Sequence, residues 1–378
     1  MYRLFTTIAS VAMSLVWVSC GNMGGVNEVA GERDSMHYAQ YLSICHFDDY
    51  TIVEIKNPWD STKTLQRYTL IPKGEGDDKG NIAPGTTVVE VPIQQAVVYN
   101  SVHASIVEML GALESIAGVC EVQYIDSEEL RERVTSGRVA DIGESTAPNV
   151  ERIIDIHTDA ILSSPFKDAG YGAVEKLRIP IIEGADYMEQ HPLGRVEWIK
   201  LYGELFDRRE QADSIFDAAC REYLQLKAMV AHVEHRPTVM AERRYGSQWF
   251  VPARGSYNAT LFADAGADYI FSDLEGSGSV PLSFERVLDR GIESSVWVLK
   301  YNSTNGDMSY DDLRSEYEPY ANFTAFKTRS VYGCNTAHKR YYQDIPMAPH
   351  LLLREYIYIF HPELLPDFTP HYFAPLID

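Results

Sequence analysis

From about Thr51 onward the chain alternates short apolar runs with amphipathic stretches. Thr51 to Lys56 sets Val53 and Ile55 opposite Glu54 and Lys56, the two-residue period of a half-buried strand. Leu65 to Ile71 is a second strand after the turn Asn57-Pro58-Trp59-Asp60, so a β hairpin is predicted there. After Thr87 the pattern becomes strand and helix in turn. Ala96 to Tyr99 is followed by a helix with Ile106, Met109, Leu110 and Leu113 on one face, and further strands are expected at Gly118 to Val122, Ala160 to Ser163 and Ile179 to Glu183. Pro192 breaks this alternation. Arg195 to about His232 then reads as mainly helical, with Ala212, Ile215, Phe216, Ala219, Tyr223 and Leu226 on a single buried stripe and a brief interruption near Asp207. Arg236-Pro237 ends the helix, because proline cannot continue its ladder. The alternation restarts with strands at Thr238 to Glu242, Trp249 to Pro252 and Ser295 to Leu299, helices at Tyr257 to Ala265 and near Phe284 and Asp311, and a last helix at Leu351 to Phe360. The fold class is α/β: two Rossmann-like lobes bridged by a long helix, with a ligand cleft between them.

Composition refines this picture. A chain of 378 residues with 45% hydrophobic content can bury two cores. The formal net charge of −21 excludes a nucleic-acid surface, which needs a basic stripe, and implies a self-repelling monomer. The first residues carry a targeting signal: Arg3, an apolar run from Leu4 to Val18, and then Ser19-Cys20. That ending resembles a lipobox, which makes Cys20 the lipidation site, with Trp17 bulkier than the usual residue there. The expected organisation is a signal peptide at 1–19, an anchored tether at 20–35, a first lobe with an extra β hairpin at 36–192, the interlobe helix at 193–235 and a second lobe at 236–378. Cys45, Cys120, Cys220 and Cys334 are scattered without a CxxC, and no metal or redox motif is expected.

Several segments in order resemble the substrate-binding lipoproteins of ABC importers for ferric siderophores, haem and cobalamin. They are Asn100-Ser101 with Ile106 to Leu113 and Gly118-Val119; Asp141-Ile142-Gly143-Glu144 with Asn149 to Ile153 and Asp159 to Leu162; Pro192 to Ile199; Val251-Pro252 to Ser256 with Ala263 to Ala267; and Phe360-His361-Pro362-Glu363. His157-Thr158 departs from the Lys-Pro usual in that family. The resemblance implies capture of a metal complex without catalysis or a cofactor of the protein's own, delivery to permease subunits, and a periplasmic location with the membrane reached through the lipid anchor alone. It also implies that Glu151 and Glu285 dock onto the permease, one per lobe. Both also sit where a helix cap is expected, after Asn149 and Ser283.

In two α/β lobes the ligand lies at the carboxyl ends of the strands, which puts its contacts on loops. Candidates in the first lobe are Asn100, Ser101, Glu144, Ser145, Phe166 and Tyr171; those in the second are Arg243, Tyr245, Trp249, Arg254, Tyr257, Tyr301, Tyr332 and Arg340. Aromatic rings and guanidinium groups together suit a large anionic complex. A metal-ion receptor would need histidine and carboxylate at these loops, for which His103 and Glu144 are a start, and His232 with His235 reads as a helix-end pair. Gly276-Ser277-Gly278-Ser279 lacks the lysine of a P-loop, and no nucleophile elbow is present. Cobalamin as cargo, a lipid-anchored enzyme on the same lobes, and a binding lipoprotein with no ABC partner stay open as alternatives.

Overall fold

The computed structural model of the chain describes residues 31–74 and 85–378. The signal peptide, Cys20 and the tether up to residue 30 lie outside the described residues.

The first lobe is a six-stranded sheet in the order Ile181–Glu183, Ala160–Ser163, Ala96–Val98, Ile116–Cys120, Ala140–Glu144, Ala147–Pro148. The first five run parallel and the last is antiparallel. The second lobe has the order Asp268–Tyr269, Thr238–Ala241, Val296–Tyr301, Val331–Asn335, Ala374–Pro375, again parallel except for its last strand. Beside it, Arg244–Tyr245, Gln248–Pro252 and Ser279–Leu282 form a small antiparallel sheet. In both lobes apolar strands are buried by helices, as parallel sheets require.

The hairpin expected near Thr51 is part of something larger. Leu42–His46, Thr51–Lys56, Thr64–Pro72 and Thr87–Val91 make a five-stranded sheet with Glu32–Arg33 at its edge. Residues 31–35, expected in the tether, therefore belong to the folded body. Leu42, Ile44, Val53, Ile55, Tyr68 and Leu70 line one face and share a core with the first lobe. Tyr68 also donates its hydroxyl to the Ile181 carbonyl and accepts from the Glu183 amide, which joins the small sheet to the edge of the large one.

The interlobe helix forms as three pieces, Pro192–Glu197, Ile199–Leu205 and Arg209–Met229. Asp207 adopts a left-handed φ of 54° at the second break, a conformation that a helix cannot continue through. The last piece spans 21 residues, about 31 Å of helix. Its stripe divides in two: Ala212, Phe216 and Ala219 join the first-lobe core, whereas Tyr223 and Leu226 join the second. His232 and His235 lie beyond its end at Met229.

A strap from His37 to Tyr41 lies against these helices. Glu197, completely buried, accepts the amides of His37, Tyr38 and Ala39 at 2.7–2.8 Å, and buried Glu189 accepts those of Gln40 and Tyr41 together with the Trp198 indole. Amide donors held by charged acceptors are the strong class of hydrogen bond, so the strap is tightly held. Tyr38 packs against both lobe cores and stacks on His191 at 5.0 Å.

Candidate functional site

Each lobe carries a pocket at the carboxyl ends of its parallel strands. In the first lobe a cavity of about 430 Å³ is lined by Tyr99, Ser145, Ser163, Ser164, Phe166 and Tyr171, among others. Phe166 is two-thirds exposed. The Tyr99 hydroxyl is buried without a hydrogen-bond partner among the described residues, and burial pushes its pKa upward, so it remains a neutral donor. Tyr171 donates to Glu183 at 2.8 Å, and Ser145 donates its amide and hydroxyl to Glu121. Ser164 accepts from the Asn100 amide at 3.1 Å and lies 3.2 Å from His103 Nε2.

The second-lobe pocket, about 480 Å³, is lined by Glu242, Arg243, Arg244, Tyr245, Phe250, Tyr257 and Lys300, among others. Glu242 follows its strand with a left-handed φ of 63° and forms an ion pair with Lys300. Burial lowers the Lys300 pKa, but the Glu242 carboxylate outweighs it and keeps the ammonium above the ordinary lysine value. Arg243 pairs with Glu316, and its Nε has no partner among the described residues. The Arg244 guanidinium lies 3.9 Å over the Tyr317 ring and donates to the Gly246 carbonyl at 3.0 Å. Tyr245 is 83% exposed at the hairpin tip. With Lys300 paired to Glu242 and Arg243 to Glu316, Arg244 gives this cluster a surplus positive charge that can receive an anion.

The structure brings Ser145, Phe166, Tyr171, Arg243, Tyr245 and Tyr257 to these pockets. Asn100 caps the helix Ser101–Met109 and touches the site through Ser164, while Ser101 and Glu144 do not line the pocket. Five expected residues are placed elsewhere. Trp249 is completely buried and donates its indole to the Ala241 carbonyl, because the strand pleat turns Phe250 toward the pocket instead. Tyr301 is buried for the same reason, with Lys300 pointing to the pocket. Tyr332 sits near the start of Val331–Asn335, far from the carboxyl end, and packs on the core. Arg254 lines a separate outer cavity with Arg236 and Asp268. Arg340 pairs with Glu108 and Asp344 and so ties the lobes together. His103 is fully buried and lines neither pocket, and among the described residues neither pocket lining contains histidine or cysteine.

Arg244, on the loop after Glu242 where the strand-end rule puts candidates, is also in the lining, whereas Tyr99, Ser164, Phe250 and Lys300 are the residues that the rule left out. Alternation within each strand was the signal that could have found Phe250 and Lys300.

Glu151 and Glu285 are both exposed in the first turns of their helices, Val150–Asp155 and Phe284–Gly291, with Asn149 and Ser283 accepting the amides of Arg152 and Arg286. Cys120 and Cys334 are buried thiols, each pushed up to about 12 by burial and thus unreactive.

A profile of the family described as "Periplasmic binding protein" matches residues 96–337, more than half of the chain. An uncharacterised lipoprotein of Methanocaldococcus jannaschii is 25% identical over 89% of this chain and 84% of its own length. A second uncharacterised lipoprotein of that organism is 25% identical over 77% of this chain and 75% of its own. Among solved structures, a possible iron-binding periplasmic solute-binding protein of Staphylococcus epidermidis is 18% identical, covers 71% of this chain and 99% of its own, and has a TM-score of 0.56. The periplasmic haem-binding protein RhuT of Roseiflexus is 15% identical, covers 70% and 98%, and has a TM-score of 0.53. The molybdate-binding protein MolA of Haemophilus influenzae is 18% identical, covers 73% and 89%, and has a TM-score of 0.55. These likenesses establish the fold.

Proposed function

The chain belongs to the periplasmic binding protein family, and from that membership we propose that it is the substrate-binding lipoprotein of an ABC importer, capturing an anionic metal complex between its lobes and delivering it to the permease. The observation that carries the reading is the asymmetry of the cleft. The second lobe offers Arg243, Arg244 and Lys300, and the first offers neutral hydroxyls and the exposed Phe166. An anionic complex with an apolar or aromatic body satisfies both sides. Among the described residues both linings lack histidine and cysteine, which favours a cargo that brings its own metal ligands over a bare ion. Pocket volumes near 480 and 430 Å³ lie in the range of whole organic ligands and exceed what a small oxyanion needs. The solved relatives include proteins described as iron-binding and haem-binding, which agrees with a ferric siderophore or haem as cargo. Lipoprotein relatives and the Cys20 context support an anchored protein outside the cytoplasm, and among the described residues no helix is long and apolar enough to cross a membrane.

The test is a tryptophan-fluorescence titration of the purified chain with ferric catecholate, ferric hydroxamate, haemin and cobalamin. One of the first three is expected to bind saturably, and the double substitution Arg243→Ala with Arg244→Ala is expected to weaken it by roughly tenfold to several hundredfold, the effect of losing charge-assisted contacts. Tightest binding of cobalamin, or turnover of a substrate without stoichiometric binding, would sink the reading.

A further inference from the structure

Away from the cleft, the edge of the N-terminal sheet meets the junction of the interlobe helices, and three potential metal ligands converge there. Asp34 follows the strand Glu32–Arg33, His46 ends Leu42–His46, and Glu204 lies in Ile199–Leu205. One ligand atom from each lies within 4.8 Å of the other two. His46 Nε2 is 3.2 Å from Asp34 Oδ1 and 3.9 Å from Glu204 Oε1. Ligands about 2.1 Å from a tetrahedral ion stand roughly 3.4 Å apart, so these separations need little adjustment. We propose that Asp34, His46 and Glu204 form a binding site for a divalent transition-metal ion of the zinc class, which pins the root of the N-terminal segment to the interlobe helices.

Further features fit the assignment. Thr51 Oγ1 lies 3.1 Å from His46 Nδ1, so an Nδ1–H donated to it leaves the Nε2 lone pair to face a cation, the place that the Arg209 guanidinium takes at 3.0 Å. Asp34 and Glu204 also line a cavity of about 190 Å³, ample for an ion and the waters that complete its shell, and His37 and Asp213 border the same cavity. The arrangement is already built around a positive charge: the Arg209 guanidinium bonds Glu204 at 2.7 Å and reaches to 3.0 Å from His46 Nε2. Arg209 is half exposed and can swing into solvent, whereas Asp34, His46 and Glu204 are each largely buried. Imidazole with two carboxylates selects a borderline metal over calcium or magnesium, which prefer all-oxygen shells. Lys200 borders the cavity too, but its ammonium is 3.6 Å from Asp213. The site is independent of the transport reading, since it lies outside both pockets.

Calorimetric titration of the untagged full chain with Zn²⁺ after chelator treatment tests the assignment. The expected result is one saturable ion per chain and a raised thermal midpoint. Asp34→Asn, which is isosteric and sits at the rim, and His46→Gln are each expected to weaken binding by roughly tenfold or more. Arg209→Gln, which removes the competing cation, is expected to tighten it. Absence of saturable binding, affinity unchanged by Asp34→Asn and His46→Gln, no gain from Arg209→Gln, or tighter binding of Ca²⁺ than of Zn²⁺ would each overturn the site.

Discussion

His103 shows how one buried side chain supports the cleft without touching its contents. Its Nε2 contacts Ser164 in the pocket lining, and its ring lies edge-on to Tyr202 at 5.8 Å. Burial pulls its pKa below the ordinary 6.5, with the Asp186 carboxylate opposing. The folded state thus holds the neutral ring, and the unfolded chain protonates first as pH falls. The stability this contributes is complete above 6.5 and is lost as pH drops from there toward the folded-state value, at most about 1.4 kcal/mol per pH unit for one proton. In urea unfolding at neutral pH and near pH 5.5, His103→Gln is expected to lose less stability between the two conditions than the parent protein. An equal loss in both would show that His103 is protonated in the folded state.

At the scale of elements, the helices Val150–Asp155 and Phe284–Gly291 each present a first-turn glutamate, one per lobe. Their amides are capped by Asn149 and Ser283, and both carboxylates stand on the exposed surface, that of Glu285 held below the usual carboxylate range by its own backbone amide and the Ser283 hydroxyl. Charge reversal at both, Glu151→Lys with Glu285→Lys, is expected to leave ligand affinity in solution within about twofold while cutting permease-dependent uptake by roughly tenfold or more. Uptake unchanged by the double reversal would remove these residues from docking. The spanning helix shows a second lesson at this scale. Its period of 3.6 residues predicts one stripe, and only the three-dimensional structure divides that stripe between two cores at about Ala219 and Tyr223.

For the whole molecule, the contacts between lobes limit how far they can move. The helix Arg209–Met229 contributes to both cores, Met347 from the second lobe is buried in the core of the first, and Arg340 bonds Glu108 across the gap. Tyr38, held by the strap on Glu197 and Glu189, adds a ring against both cores. Wide hinge closure would break buried packing in several places at once. Small-angle scattering with and without saturating ligand is therefore expected to show a radius of gyration changed by less than about 1 Å. A larger contraction would mean that the helix bends at Asp207 or the strap releases.

What the sequence determined by itself was everything that local periodicity encodes: the α/β alternation, the proline-limited interlobe helix, and the caps at Asn149 and Ser283. Those signals are short-range, because strand and helix periods are set by neighbours along the chain. The tertiary structure decided which face each strand turns to the cleft, so that Phe250 and Lys300 reach it while Trp249 and Tyr301 fill the core. A one-residue step reverses the face of a strand, and only the packed sheet fixes that register. It also decided long-range meetings that no spacing reports, such as Glu197 with the amides of the strap and Asp34 and His46 with Glu204. No metal motif is legible along the chain because Glu204 lies more than 150 residues beyond Asp34 and His46 and meets them only once the N-terminal sheet has docked on the helices.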